Sequence, residues 1–125
     1  MDDEAIGTQV VDCAIRVHTA LGAGLLESAY ESCLAHELAK HGLEVRKQVP
    51  MPVLYDNTQM DVGYRIDMLV NDRVVVELKA VEKLMPLHTA QLLTYLKLSK
   101  LRLGFLLNFN VEHMRNGVKR VVNGY

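Results

Sequence analysis

Residues 64–79 read YRIDMLVNDRVVVELK, and the way this stretch pairs with itself decides the fold. Two apolar runs rich in β-branched residues flank Asn71-Asp72, the pattern of two strands joined by a tight turn. Asp67 lies on the first run, and Glu77 and Lys79 lie on the second. Two carboxylates and an ammonium are expensive on strands this apolar unless something compensates them. A divalent cation would neutralise the carboxylates, and a phosphate would meet the lysine.

Glu77 and Lys79 are two residues apart on one strand and so share a face. Asp67 joins them in only one register. A plain two-residue turn at Asn71-Asp72 pairs Val70 with Arg73 and therefore Ile66 with Glu77, which turns Asp67 away. A three-residue turn or a bulge sets Asp67 opposite Glu77 instead. The chemistry requires that irregularity, and we predict it.

Upstream, EVRKQVPMPVLY alternates Val45, Lys47, Val49, Met51, Val53 and Tyr55 with the residues between them, as a strand does. Pro50 and Pro52 cannot donate ladder hydrogen bonds, so this strand lies at an edge or carries a break. Asp56-Asn57-Thr58 is turn chemistry, and a second strand is expected from Met60 to Val70. The third strand, RVVVELKA, is apolar on both faces until Glu77 and so belongs in the middle of the sheet. Downstream, Pro86 precedes a helix over 87–100, and LRLGFLLNF reads as a buried strand. Strand, helix and buried strand suggest a crossover between parallel strands. The chain turns at Asn116-Gly117, and VKRVVN adds a short last strand. Val76, Leu78, Leu106 and Leu107 are expected in the core.

The first 43 residues are helical by pattern. Ile6, Val10, Cys13, Ala14, Val17 and Leu21 form one apolar stripe, ended by Gly22-Ala23-Gly24. A second helix runs from about Leu26 to His41, and Gly42 closes it. The two are expected to pack as a helical hairpin. The order is helix, helix, three-strand meander, helix, strand, short strand, which is a mixed sheet with helices on its faces.

At 125 residues the chain is expected to form a single domain, residues 1–125, with enough apolar content for one core. No apolar run is long enough to span a bilayer, and MDDEAIG has no secretory pattern. Cys13 and Cys33 lack metal-site spacing and read as thiols of a reducing compartment, so a cytoplasmic protein without a membrane role is expected. Net charge is −1, which argues against strong non-specific nucleic-acid binding. Residues 1–70 carry 5 basic and 11 acidic side chains, and residues 71–125 carry 9 and 4. The basic half can face phosphate or simply form a solvated surface. The histidines form no ligand set, and no Gly-rich phosphate loop is present.

Asp67 and Glu77 can hold a hard cation such as Mg²⁺, with the Leu78 carbonyl as a further ligand and water in other positions. Lys79 would then meet the scissile phosphate or the attacking water. Surface salt bridges on a strand would use the same residues. On the third helix, Gln91 and Tyr95 share a face, with His88 one turn before Gln91. Gln91 can orient Lys79 or the water, and Tyr95 and His88 can reach a phosphate. Tyr95 serves equally as a core aromatic. Glu27 opens the second helix, where the helix dipole alone favours a carboxylate. Its functional reading is a third acidic group on the metal or its water shell. Tyr30 reads as a core residue or a substrate contact.

Taken together, Gly24-x-x-Glu27-x-x-Tyr30, Asp67, Glu77-x-Lys79 and Gln91-x-x-x-Tyr95 resemble the GxxExxY proteins, a family of the PD-(D/E)XK nuclease superfamily. The resemblance covers nearly the whole chain, including the run from Val76 to Asn110. It implies an α/β, restriction-endonuclease-like core with a mixed central β-sheet flanked by helices, carrying an N-terminal helical hairpin. It implies Mg²⁺, or Mn²⁺ as a substitute, held by Glu27, Asp67 and Glu77, with Lys79 as the catalytic lysine and Gln91 as its support. Ile66 stands where the superfamily's name has proline, a position that varies within it.

The leading expectation is a metal-dependent nuclease, with DNA as substrate ahead of RNA. The alternative is a catalytically silent nucleic-acid-binding or protein-interaction module that keeps the fold. The modest size and the charge of −1 point to a homodimer or a partner protein that completes the nucleic-acid surface.

Overall fold

A computed structural model describes residues 1–124. Its central hairpin is the stretch at 64–79. Strand β4 (Arg65–Val70) runs antiparallel to β5 (Val74–Lys79), with Val70 opposite Val74 and Met68 opposite Val76. Three residues, Asn71 to Arg73, connect them. Asn71 and Asp72 both take positive φ (52° and 54°), and the Arg73 N–H closes the turn on the Val70 carbonyl at 3.0 Å. Asn and Asp tolerate this left-handed backbone better than other non-glycine residues. Arg73 is the extra residue, and it sets Asp67 in the register of Glu77. The irregularity required by the chemistry is therefore present.

The remaining elements follow in order. Helix α1 is Asp3–Leu21 and α2 is Glu27–Lys40. Strands β1 (Val45–Pro50), β2 (Val53–Tyr55) and β3 (Thr58–Met60) precede β4. Helix α3 (Pro86–Ser99), β6 (Leu103–Asn108), a 3₁₀ turn (Met114–Gly117) and β7 (Val118–Val122) follow β5. The main sheet has the order β1-β4-β5-β6-β7, with β5 and β6 parallel and every other pair antiparallel. This is a mixed five-stranded sheet flanked by helices, with a helical pair at the N-terminus: a restriction-endonuclease-like α/β fold.

Two stretches differ from the sequence expectation. The strand expected over 45–55 divides at Met51-Pro52, and the one expected from Met60 begins only at Arg65. The prolines deny the edge strand its donors, so the chain leaves the sheet after Pro50. It then forms a separate hairpin of β2 and β3 around Asp56 and Asn57, which both have positive φ (54° and 57°).

Helices α1 and α2 cover one sheet face, where Ile6, Val10, Leu34 and Leu38 meet Val76, Leu78 and Phe105. Helix α3 covers the other, where Leu92, Tyr95 and Leu96 meet Leu69, Val75 and Leu106. Each fully buried leucine in these layers contributes about 1.5–3 kcal/mol. Gly104 lets α3 sit close to the sheet, because a Cβ there would lie 3.0 Å from the Leu92 side chain. Val76, Leu78, Leu106 and Leu107 are fully buried, as expected. Among the described residues no helix is long and apolar enough to cross a membrane.

Candidate active site

The ladder between β4 and β5 extends from the turn to Met68 and Val76 and then opens. Beyond that pair the Asp67 carboxylate replaces a backbone acceptor: its Oδ2 accepts the Leu78 N–H at 2.9 Å. In a strand the N–H and C=O of one residue point to the same side. The Leu78 carbonyl therefore faces the same gap, while its side chain is buried on the opposite face.

Glu77 projects into this gap beside Asp67. It is only 6 % exposed, and its Oε1 has no hydrogen-bond partner among the described residues. Burial pushes its carboxyl up to about 10, and the hydrogen bond and negative charge of Asp67 add to the rise. The Lys79 charge opposes it. Burial thus favours the protonated form of Glu77 where no cation is bound.

Lys79 lies two residues further along the same face, half-buried, and makes no ion pair among the described residues. Its backbone is locked from β6. The Lys79 carbonyl accepts the Phe109 N–H at 3.0 Å. Buried Asn108 then clasps the chain beyond it, donating from Nδ2 to the Val81 carbonyl at 2.9 Å and accepting the Val81 N–H at 3.1 Å. The same Oδ1 accepts the Asn110 N–H at 3.2 Å.

The two flanking helices close the site. The first turn of α2 brings Glu27 near the end of β5. Partial burial raises its carboxyl, the charges of Asp67 and Glu31 raise it further, and Lys79 and the Ala80 N–H oppose the rise. From α3, Tyr95 is 6 % exposed, and burial pushes its hydroxyl up, with the charges of Glu77, Tyr64 and Asp67 adding to the effect. The neighbouring Gln91 side chain opposes that rise and is itself exposed. Both line a groove of about 320 Å³ with Tyr64, Val53 and Leu87.

A sequence model of the PD-(D/E)XK nuclease superfamily matches residues 4–121. The chain belongs to that superfamily. No match was found among curated proteins or among solved structures. PD-(D/E)XK nucleases typically use divalent metals and act on nucleic acid. Among the described residues, no group of three or more His, Cys, Asp or Glu side chains is gathered closely enough to hold an ion. Asp67 and Glu77 form a pair, and Glu27 stands outside it.

Of the residues singled out from the sequence, Asp67, Glu77, Lys79, Glu27 and Tyr95 lie close enough for their charges to act on one another, and Gln91 neighbours Tyr95. Two expected substrate contacts have structural roles. Tyr30 is fully buried and stacks on Phe109 at 4.5 Å. Its hydroxyl donates to the Gly22 carbonyl at 2.6 Å and accepts the Leu25 N–H at 3.1 Å. It therefore pins the loop that turns through Gly22 and Gly24 (φ 71° and 97°), the loop that delivers Glu27. His88 caps α3, where its Nδ1 accepts the Met85 N–H at 3.0 Å.

The basic half of the sequence is also partly spent elsewhere. Arg73 pairs with Asp3 at 2.8 Å, and Arg102 and Arg120 pair with Glu4. These contacts lie at the end of the sheet remote from Lys79. Sequence reading missed Asn108 and Gln48, the latter described below. A buried-strand reading of LRLGFLLNF does contain a signal for Asn108, since an amide in a run otherwise apolar needs partners.

Proposed function

We propose that this chain is a Mg²⁺-dependent nuclease that hydrolyses phosphodiester bonds in DNA. The observation that carries the reading is the Asp67–Glu77 pair in the opening between β4 and β5, with Glu77 Oε1 buried and without a hydrogen-bond partner among the described residues. A buried carboxylate oxygen without a donor is costly, and a cation satisfies it. The available donors are two carboxylates and the Leu78 carbonyl, all hard oxygens. This suits Mg²⁺, which keeps several waters and takes one or two carboxylates. Mn²⁺ would fit the same set. When bound, the ion supplies a more acidic water and counter-charge to the phosphate.

The rest of the work falls to the chain's own groups. The Lys79 ammonium, without an ion pair among the described residues, binds a non-bridging phosphate oxygen and stabilises the charge that grows there. The Asn108 clasp fixes where that ammonium is delivered. Gln91 orients the Tyr95 hydroxyl toward the phosphate. Glu27, outside the pair, accepts hydrogen bonds from water at the rim and holds the proton that hydrolysis releases. Its raised carboxyl suits that role.

The test is cleavage of single-stranded, double-stranded and branched DNA, and of RNA, with Mg²⁺ or Mn²⁺, comparing wild type with Lys79→Ala. Cation-dependent cutting that vanishes in the variant supports the reading. Cation binding without cutting of any substrate makes the chain a non-catalytic module. Absence of both removes the site.

A further inference from the structure

Gln48 lies on the edge strand β1, across from Asp67, between the pairs Lys47–Met68 and Val49–Ile66. Its φ is +53°, in the middle of a strand whose other residues are extended. Glutamine has no particular tolerance for that backbone, which favours glycine, asparagine and aspartate. An outlier of this kind persists only where the surroundings hold it. Here the side chain shows what it achieves. Gln48 Nε2 donates to Glu31 Oε2 at 2.9 Å and reaches Asp67 Oδ1 at 3.4 Å. Both partners are acceptors, so the amide nitrogen, and not the amide oxygen, faces them.

We propose that Gln48 is a positioning residue that holds the Asp67 carboxylate in its cation-binding orientation. The inference rests on the nuclease reading of the same site. Asp67 is gripped at both oxygens, Oδ2 by the Leu78 N–H and Oδ1 by the Gln48 amide. The amide's second N–H ties it to Glu31 on α2, one turn after Glu27. A neutral donor is the fitting chemistry. Lysine or arginine at position 48 would hold Asp67 equally well but would place a positive charge where a cation must bind. The amide bridges two carboxylates and adds no charge.

Gln48→Gly and Gln48→Asn separate this role from a purely structural one. Both accept a positive φ, and neither side chain reaches Asp67. The probes are Mg²⁺ and Mn²⁺ alone, titrated by calorimetry, together with thermal unfolding of the metal-free chain. We expect melting temperatures no lower than wild type and cation affinity about 10- to 100-fold weaker. Cleavage should fall at low Mg²⁺ and recover as Mg²⁺ is raised. Wild-type cation affinity in both variants overturns the role of Gln48 and leaves the nuclease reading standing. Failure of the wild-type chain to bind either cation overturns both.

Discussion

Replacing Glu77 by Gln should stabilise the metal-free protein at neutral pH. Burial beside Asp67 lifts the Glu77 carboxyl from 4.5 to about 10 in the folded state. A raised folded-state value means that the stabilising contribution is full below pH 4.5 and is lost as pH rises toward 10. Each pH unit in that window costs about 1.4 kcal/mol, because the unfolded chain releases the proton while the folded chain retains it. At pH 7 the cost reaches about 3 kcal/mol, an upper figure once the surroundings relax. Glutamine has the shape of the protonated acid and does not titrate, so it escapes this cost. Its melting temperature in EDTA at pH 7 should exceed wild type by up to about 10 °C. The difference should shrink toward pH 5 and grow toward pH 9. With Mg²⁺ the order should narrow or reverse, because wild type gains a ligand-bound state that the variant forms poorly. The assay is thermal or urea unfolding across pH 5 to 9, with EDTA or excess Mg²⁺. A variant no more stable than wild type at pH 7, with a parallel pH profile, would refute the argument and show that Glu77 is already ionised without a cation.

The same proton gives a second outcome: Mg²⁺ binding to wild type should release close to one proton near pH 7, read by calorimetry in buffers of different ionisation enthalpy. Asn108→Ala leaves the Val81 and Asn110 backbone groups unpartnered. It should cost about 1–3 kcal/mol in urea unfolding, with the loss of cleavage exceeding what the unfolded fraction explains. Tyr30→Phe strands the Leu25 N–H and removes the donor to Gly22. About 1–3 kcal/mol of stability should go with it, and faster amide exchange at residues 22–27 would locate the damage. Gln91→Ala removes an exposed side chain, so stability should stay within about 0.5 kcal/mol while the cleavage rate falls about 10- to 100-fold. A stability loss without a rate loss would make Gln91 structural.

The sequence exposed the chain's middle most clearly, for a physical reason. The apolar pattern of RVVVELKA demanded a central strand, and the carboxylates demanded a register with one extra turn residue. Both demands are local, so both could be read from adjacent residues. Tyr30 stayed open between core and substrate contact because position in a motif does not reveal whether a hydroxyl turns outward or back onto its own loop. Here two loop groups, the Gly22 carbonyl and the Leu25 N–H, capture it. The division of the 45–55 strand was half legible, since the prolines announced a break without saying that a separate hairpin would follow. Gln48 was invisible. Its importance lies in one dihedral angle and in partners 17 and 19 positions away.

The clasp on β6 also bears on how the protein is made. The Lys79 carbonyl is held by Phe109 and the Val81 backbone by Asn108, and between these partners the chain runs through α3 and across the sheet. A polypeptide emerging from the ribosome has Glu27, Asp67, Glu77 and Lys79 in hand well before it has the strand that aligns them. The candidate centre is thus completed only once β6 has been made and has paired with β5. A chain cut short before β6 carries every acidic residue of the candidate centre and lacks the partners that hold Lys79 and Val81.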